Sequence, residues 1–101
     1  MKTRIEEISP KQIIIYVKDN SFSFYFKEIN PDTIHITFVV AGKSHTGLGY
    51  FAFKDFEDYM RKKGYKKITL TPDNKKLQRL YEKYGFIAED PQALSYMYKE
   101  L

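Results

Sequence analysis

Phe22, Phe24 and Phe26 alternate with Ser23, Tyr25 and Lys27. A two-residue period marks a strand whose two faces meet different surroundings. Two neighbouring segments carry a related signature. Gln12 to Lys18 is rich in β-branched residues and stops at Asp19-Asn20-Ser21, and Thr33 to Val40 follows the turn signal Asn30-Pro31-Asp32. Such tight connections predict an antiparallel meander. Thr3 to Ile8 reads as an edge strand before it. An aromatic content of 17%, from nine Tyr and eight Phe, favours strands around a thick aromatic core.

The period then changes. Phe53, Phe56, Tyr59 and Met60 are spaced as one face of a helix, with Ala52 beside them. Lys54, Asp55, Glu57, Asp58, Arg61 and Lys62 fall mostly on the other side. Acidic residues are expected early in that helix and Arg61-Lys62-Lys63 late, which suits its dipole, and Gly64 is its stop. Lys67 to Thr71 reads as a short strand ended by Pro72. Asn74 is suited to cap a second helix whose apolar stripe is Leu77, Leu80, Tyr81 and Tyr84. Gly85 ends that helix, Phe86 begins another strand, and Leu94 to Leu101 reads as extended. A strand–helix–strand unit requires a parallel pair, so a mixed sheet in an α+β fold is expected.

The 101 residues suit one domain, 1–101, with no repeat or dividing linker. The absence of cysteine excludes disulfides, thiolate metal sites and cysteine nucleophiles, and suits a reducing compartment, so a cytoplasmic location is expected. Glu6 and Glu7 interrupt any apolar leader, and no apolar run approaches the ~20 residues that cross a bilayer. The formal charge of +4 is compatible with an anionic ligand but too small to argue nucleic acid.

Between Val40 and the first helix lies Gly42-Lys43-Ser44-His45-Thr46-Gly47-Leu48-Gly49. A glycine-containing loop leading into a helix presents free amides and a positive dipole end, which is the chemistry of an anion cradle. Taken alone, the glycine pair reads better as a tight strand-to-helix turn, because a lone GxG is a weak signal. It is not a Walker loop. The dinucleotide fingerprint is set aside because the preceding sheet reads as antiparallel and no carboxylate follows on Lys67 to Thr71.

In their order and spacing, these pieces resemble the GNAT N-acetyltransferase superfamily from about Thr33 to Leu101. The family loop Q/R-x-x-G-x-G/A is matched by Ser44-His45-Thr46-Gly47-Leu48-Gly49, with Val39 eight residues before Gly47. The family's Asn, helix, Leu-Tyr and Gly-Phe pattern is matched by Asn74, Leu80-Tyr81 and Gly85-Phe86, and Met97 to Leu101 resembles its last strand. The resemblance implies acetyl-CoA as co-substrate and no metal. It implies a GNAT-like mixed sheet with flanking helices, lacking the usual first two, because only Ser9 to Gln12 separate the first two strands. Their absence implies an open site suited to a protein or peptide acceptor. Exposed strand edges leave a monomer or a homodimer as the expectation, and the short apolar runs give no membrane role. The implied binding residues are Phe38, Val39, Val40, Ser44, His45, Thr46, Gly47, Leu48, Gly49, Tyr50 and Asn74. Ser44 departs from the family's Gln or Arg, with Lys43 beside it to compensate.

The resemblance also gives Tyr81 the place of the family's general acid and His35 that of a base acting through water. The plain readings are a core tyrosine on the helix stripe and a histidine satisfied on a sheet. No carboxylate lies between Thr33 and Ala41, and Glu28 is the reserve. Alternation puts Thr33, His35, Thr37 and Val39 on one strand face. A backbone N–H between Thr37 and Val40 is the expected carbonyl polariser. Arg61 to Lys67 holds five basic residues in seven, and Lys75, Arg79 and Lys83 form a second basic stripe. Both suit solvated faces, or else the 3′-phosphate of coenzyme A, an acidic protein or nucleic acid. Three functions follow in order: an N-acetyltransferase for a protein or peptide amine, a catalytically inactive GNAT-fold module binding a CoA species or a protein partner, and a basic nucleic-acid-binding module. Deprotonating a lysine at pH 7 costs about 4.6 kcal/mol, and an α-amine only about 1.4 kcal/mol. With so little base on offer, the acetylation rate is expected to climb with pH up to the acceptor's pKa. A stopped assay between about pH 6 and pH 9 checks this, and a flat profile contradicts it.

Overall fold

The computed structural model describes residues 2–101. Four strands come first: β1 (Thr3–Ser9), β2 (Gln12–Val17), β3 (Asn20–Asn30) and β4 (Thr33–Ala41). They pair antiparallel in sequence order, as the meander reading expects. Helix α1 (Gly49–Lys62) then crosses to β5 (Lys67–Leu70), which lies parallel to β4. Helix α2 (Lys75–Lys83) leads to the short β6 (Ile87–Ala88), and β7 (Met97–Glu100) inserts between β5 and β6. The result is one mixed sheet in the order β1-β2-β3-β4-β5-β7-β6. The end of the chain is less extended than expected, because only Met97–Glu100 of Leu94 to Leu101 forms strand.

One face of the sheet makes the core. Ile13, Ile15 and Val17 line up with Phe22, Phe24 and Phe26, then with Ile34, Ile36, Ile68 and Leu70. Alternation puts all of these on one side, and α1 lays Ala52, Phe53, Phe56 and Met60 over them. Phe24 stacks on Phe56 at 4.4 Å and meets Phe53 edge-on at 5.1 Å. Phe53 also touches Tyr81, Tyr84 and Phe86, so α2 shares the helical layer with α1. No helix covers the other face among the described residues. Phe38 and Val40 stand exposed there, with Tyr25 stacked on Phe38 at 4.4 Å.

A bulge in β4 resets the alternation. Tyr25 pairs with Phe38 but Phe26 pairs with Ile36, which leaves Thr37 as an extra residue. The Thr37 hydroxyl donates to the Tyr25 carbonyl at 2.8 Å. Below the bulge Ile34 and Ile36 point into the core, and above it Val39 and Ala41 pack there instead. Val39 therefore does not share a face with Thr33 and His35, as simple alternation expects.

Glu57 departs from the solvent-facing position that helical spacing gives it. It is buried, and its carboxylate receives Lys99 of β7 at 2.9 Å. Lys99 Nζ also donates to the Tyr84 carbonyl at the end of α2, at 2.7 Å. One ammonium thus joins α1, α2 and the last strand. Removing the cation strands a buried carboxylate. The Lys99→Met variant is expected to lose about 3 kcal/mol of stability, read from the urea midpoint, and Glu57→Gln distinctly less.

Candidate active site

Parallel pairing between β4 and β5 ends at Ile36 opposite Leu70. Beyond that pair β4 runs on to Ala41 with no partner strand on that edge. The strands part, and a groove of about 120 Å³ opens between them, walled by Thr37, Phe38, Val39, Thr71, Asp73 and Tyr81. Leu77 is common to this groove and to a larger cavity of about 680 Å³ between the loop after β4 and helix α2.

The loop supplies the polar wall of the larger cavity. His45 and Gly47 both adopt positive φ, at 58° and 76°, which turns successive amides of the loop. Gly42 N–H donates to the Ser21 carbonyl, Lys43 N–H to Asn20 Oδ1, and Leu48 N–H to Thr46 Oγ1. The amides of Ser44, His45, Thr46, Gly47, Gly49 and Tyr50 donate to no acceptor among the described residues. Leu48 caps α1 without a side-chain hydrogen bond, and no acidic residue lies in its first turn. The positive end of that dipole is uncompensated, a setting that favours an anion.

Charge and apolar surface complete the cavity. Lys43, Lys76, Arg79 and Lys83 line it together with Leu77, Leu80 and Tyr84. The cationic stripe of α2 is therefore Lys76, Arg79 and Lys83 rather than one beginning at Lys75. Leu80 is exposed to the cavity and not held in the core. Asn74 caps α2, its Oδ1 accepting from Leu77 N–H at 2.9 Å, and also lines the cavity. Tyr84 approaches Gly49 so closely that a Cβ there would stand 2.9 Å from its hydroxyl oxygen. The loop's second glycine leaves room for that hydroxyl.

Among the residues expected from sequence, Ser44, His45, Thr46, Gly47, Gly49 and Asn74 line the cavity, and Phe38 and Val39 line the groove. Leu48 packs against the core, and the Val40 side chain lies on the uncovered sheet face. Tyr50 is exposed and meets Tyr84 edge-on, so its contribution to the loop is its amide.

Tyr81 stands in the groove, and its hydroxyl makes no hydrogen bond among the described residues. Burial, then the Asp73 carboxylate and Tyr84, raise its pKa. The phenol stays protonated, and giving up its proton is harder than for a free tyrosine. His35 is not in the groove. It neighbours the core-facing Ile34 and Ile36 on β4, so it faces the uncovered side of the sheet, with Nδ1 2.7 Å from Thr69 Oγ1. Burial, then the Lys27 ammonium, hold its imidazole below the ordinary value, which favours the neutral ring. Glu28, the reserve base, accepts a hydrogen bond from Tyr65 at 2.6 Å. Asp73, Lys76 and Tyr84 line the site although the sequence reading gives them no site role. No group of three or more His, Asp or Glu side chains able to hold a metal occurs among the described residues.

A family model described as the Acetyltransferase (GNAT) family matches residues 13–86. The chain belongs to the GNAT acetyltransferase family. Two solved structures share its fold. One is an acetyltransferase of the GNAT family from Streptococcus pneumoniae, at TM-score 0.62 and 18% identity, covering 93% of this chain and 69% of that one. The other is the Escherichia coli GNAT family N-acetyltransferase YhbS in complex with CoA, at TM-score 0.60 and 11% identity, covering 88% of this chain and 57% of that one. At these identities the likeness is one of fold. No curated protein matches at a significant level.

The loop geometry sets an expectation of its own. Gly47 has open space around it but a positive φ, so Gly47→Ala is expected to cost about 1 kcal/mol of stability through backbone strain alone. His45→Gly relieves the same kind of strain and is expected to raise the melting temperature slightly. Calorimetric scans of both variants check the opposite signs.

Proposed function

We propose that residues 1–101 act as one acetyl-CoA-binding domain that transfers an acetyl group to an amine of a protein or peptide. The observation that carries this reading is the set of unpartnered loop amides beside the uncompensated helix end, opening into a cavity continuous with the groove that holds Tyr81. Acetyl-CoA supplies the acyl group as a thioester: the C–S bond breaks as the amine nitrogen bonds the acyl carbon, and CoA departs as a thiolate that takes up a proton from solvent while the amine gives one up. Its diphosphate fits the amides of Ser44 to Gly47, Gly49 and Tyr50, and its 3′-phosphate fits Lys76, Arg79 and Lys83. The apolar wall of Leu77 and Leu80 suits the pantetheine arm between them.

The free edge of β4 beyond Ile36 offers a main-chain donor to the carbonyl oxygen, where developing charge is best stabilised. Tyr81 holds its proton and donates a hydrogen bond to the departing sulfur. Full transfer from a phenol to a thiolate is uphill by about 2 kcal/mol even at ordinary pKa values, and the raised pKa of Tyr81 increases that. His35, neutral and on the opposite face, presents Nε2 as a proton acceptor when Nδ1–H donates to Thr69. The acceptor amine approaches from the uncovered face, where a protein or peptide meets no wall of helices. A domain that folds without disulfides suits the reducing cytoplasm.

The inactive-module reading has one observation in its favour: His35 stands outside the groove that holds Tyr81. The nucleic-acid reading is weakened, because Arg61 pairs with Asp58, Lys63 with Glu7, and Lys67 lies over the Tyr98 ring.

Release of free thiol from acetyl-CoA, with candidate peptides present, tests the proposal. Tyr81→Phe is expected to lower kcat about 10- to 100-fold while leaving CoA affinity within twofold. Tight CoA binding with no thiol release under any acceptor supports the inactive module, and absence of CoA binding overturns the transferase and leaves only a module that binds a protein partner.

A further inference from the structure

We infer that Asn20, on the hairpin between β2 and β3, is the positioning residue of the loop after β4. Asn20 is 3% exposed, and all four hydrogen-bonding positions of its side chain are occupied. Oδ1 accepts from Ser21 N–H at 2.9 Å and from Lys43 N–H at 2.8 Å. Nδ2 donates to the Lys43 carbonyl at 3.0 Å and to Thr46 Oγ1 at 3.2 Å. Three of these four bonds reach the loop, across more than twenty residues of sequence.

The grip is directional. It holds both main-chain groups of Lys43 and, through Thr46 Oγ1, the N–H of Leu48 at 3.3 Å. Gly42 lets the loop lie against the hairpin: a Cβ there would meet Ser21 Oγ at 2.8 Å. Lys43 is tied a second time, through its ammonium to Asp19 at 2.7 Å. The loop is thus fixed at Gly42, Lys43 and Thr46, while the amides from Ser44 to Gly47 keep no partner. Two consequences follow. His45, a residue with a side chain, is kept at positive φ, where an unrestrained loop seldom stays. The amides are ordered before any ligand arrives, so an anion binds without the entropy loss of arranging them. Asn20 touches no ligand itself and acts through Lys43 and Thr46.

The inference rests on the diphosphate-cradle reading, and two measurements separate their failures. In the ligand-free protein, ¹⁵N relaxation is expected to show residues 43–47 ordered in the wild type and mobile in Asn20→Ala, with α1 unchanged. In titrations, Asn20→Ala is expected to weaken CoA about tenfold, while S-acetyl-pantetheine, which lacks the diphosphate, binds both proteins alike. Asn20→Asp keeps the shape and the Oδ1 contacts but loses both donors, and is expected to weaken CoA also. Thr46→Val removes both bonds to Thr46 Oγ1, from Asn20 Nδ2 and from Leu48 N–H, and serves if Asn20→Ala does not fold. It is expected to mobilise residues 43–47 and weaken CoA about fivefold. An equally ordered loop in the variants overturns the inference. So does equal weakening of CoA and S-acetyl-pantetheine, which marks a general loss of structure. A wild type that binds no CoA overturns the cradle reading, and the relaxation data then decide the role of Asn20 alone.

Discussion

The parallel pairing of β4 with β5 stops short, and the site depends on where it stops. Thr33 to Ile36 match Lys67 to Leu70, and then β5 gives out at Thr71-Pro72 while β4 continues to Ala41. A longer β5 would close the edge of β4 and fill the groove with a strand. Proline, with no amide hydrogen to donate, cannot extend the ladder. The same parting places the loop after β4 opposite α2, so that the cavity and the groove meet at Leu77. The bulge at Thr37 belongs to this arrangement. It turns Val39 and Ala41 inward to hold the free part of β4 on the core, and leaves Phe38 at the groove.

The chemistry divides between the two faces of the sheet. The helical side carries the amides, the cations and Tyr81. The uncovered side carries His35, Phe38 and Val40. β1 and β2 are joined through Pro10-Lys11 alone, so no helix stands between them to close that side. The electrostatic settings of the two candidate groups also differ: burial raises the pKa of Tyr81 and lowers that of His35.

The elements were legible because the apolar period is clear in each. Phe22, Phe24 and Phe26 mark a strand, Phe53, Phe56 and Met60 mark a helix, and Asn74 caps the second helix as its chemistry suggests. The bulge was not legible, because Thr37-Phe38-Val39-Val40 is a run of good strand formers in which no residue signals an insertion. Glu57 looked solvated because its partner, Lys99, lies on a strand far along the chain. Asn20 looked like an ordinary turn residue for the same reason: its partners in the loop are distant in sequence. The glycine loop itself was legible as a motif. That its amides are free, and which cations face them, follows only from the tertiary arrangement.

The most direct test of the central claim is a titration of the ¹⁵N-labelled protein with CoA, read amide by amide. The amides of Thr46, Gly47, Gly49 and Tyr50 are expected to show the largest shifts, moving together with one saturation curve. Saturable binding that leaves those amides in place, with the changes elsewhere on the sheet, would contradict the account.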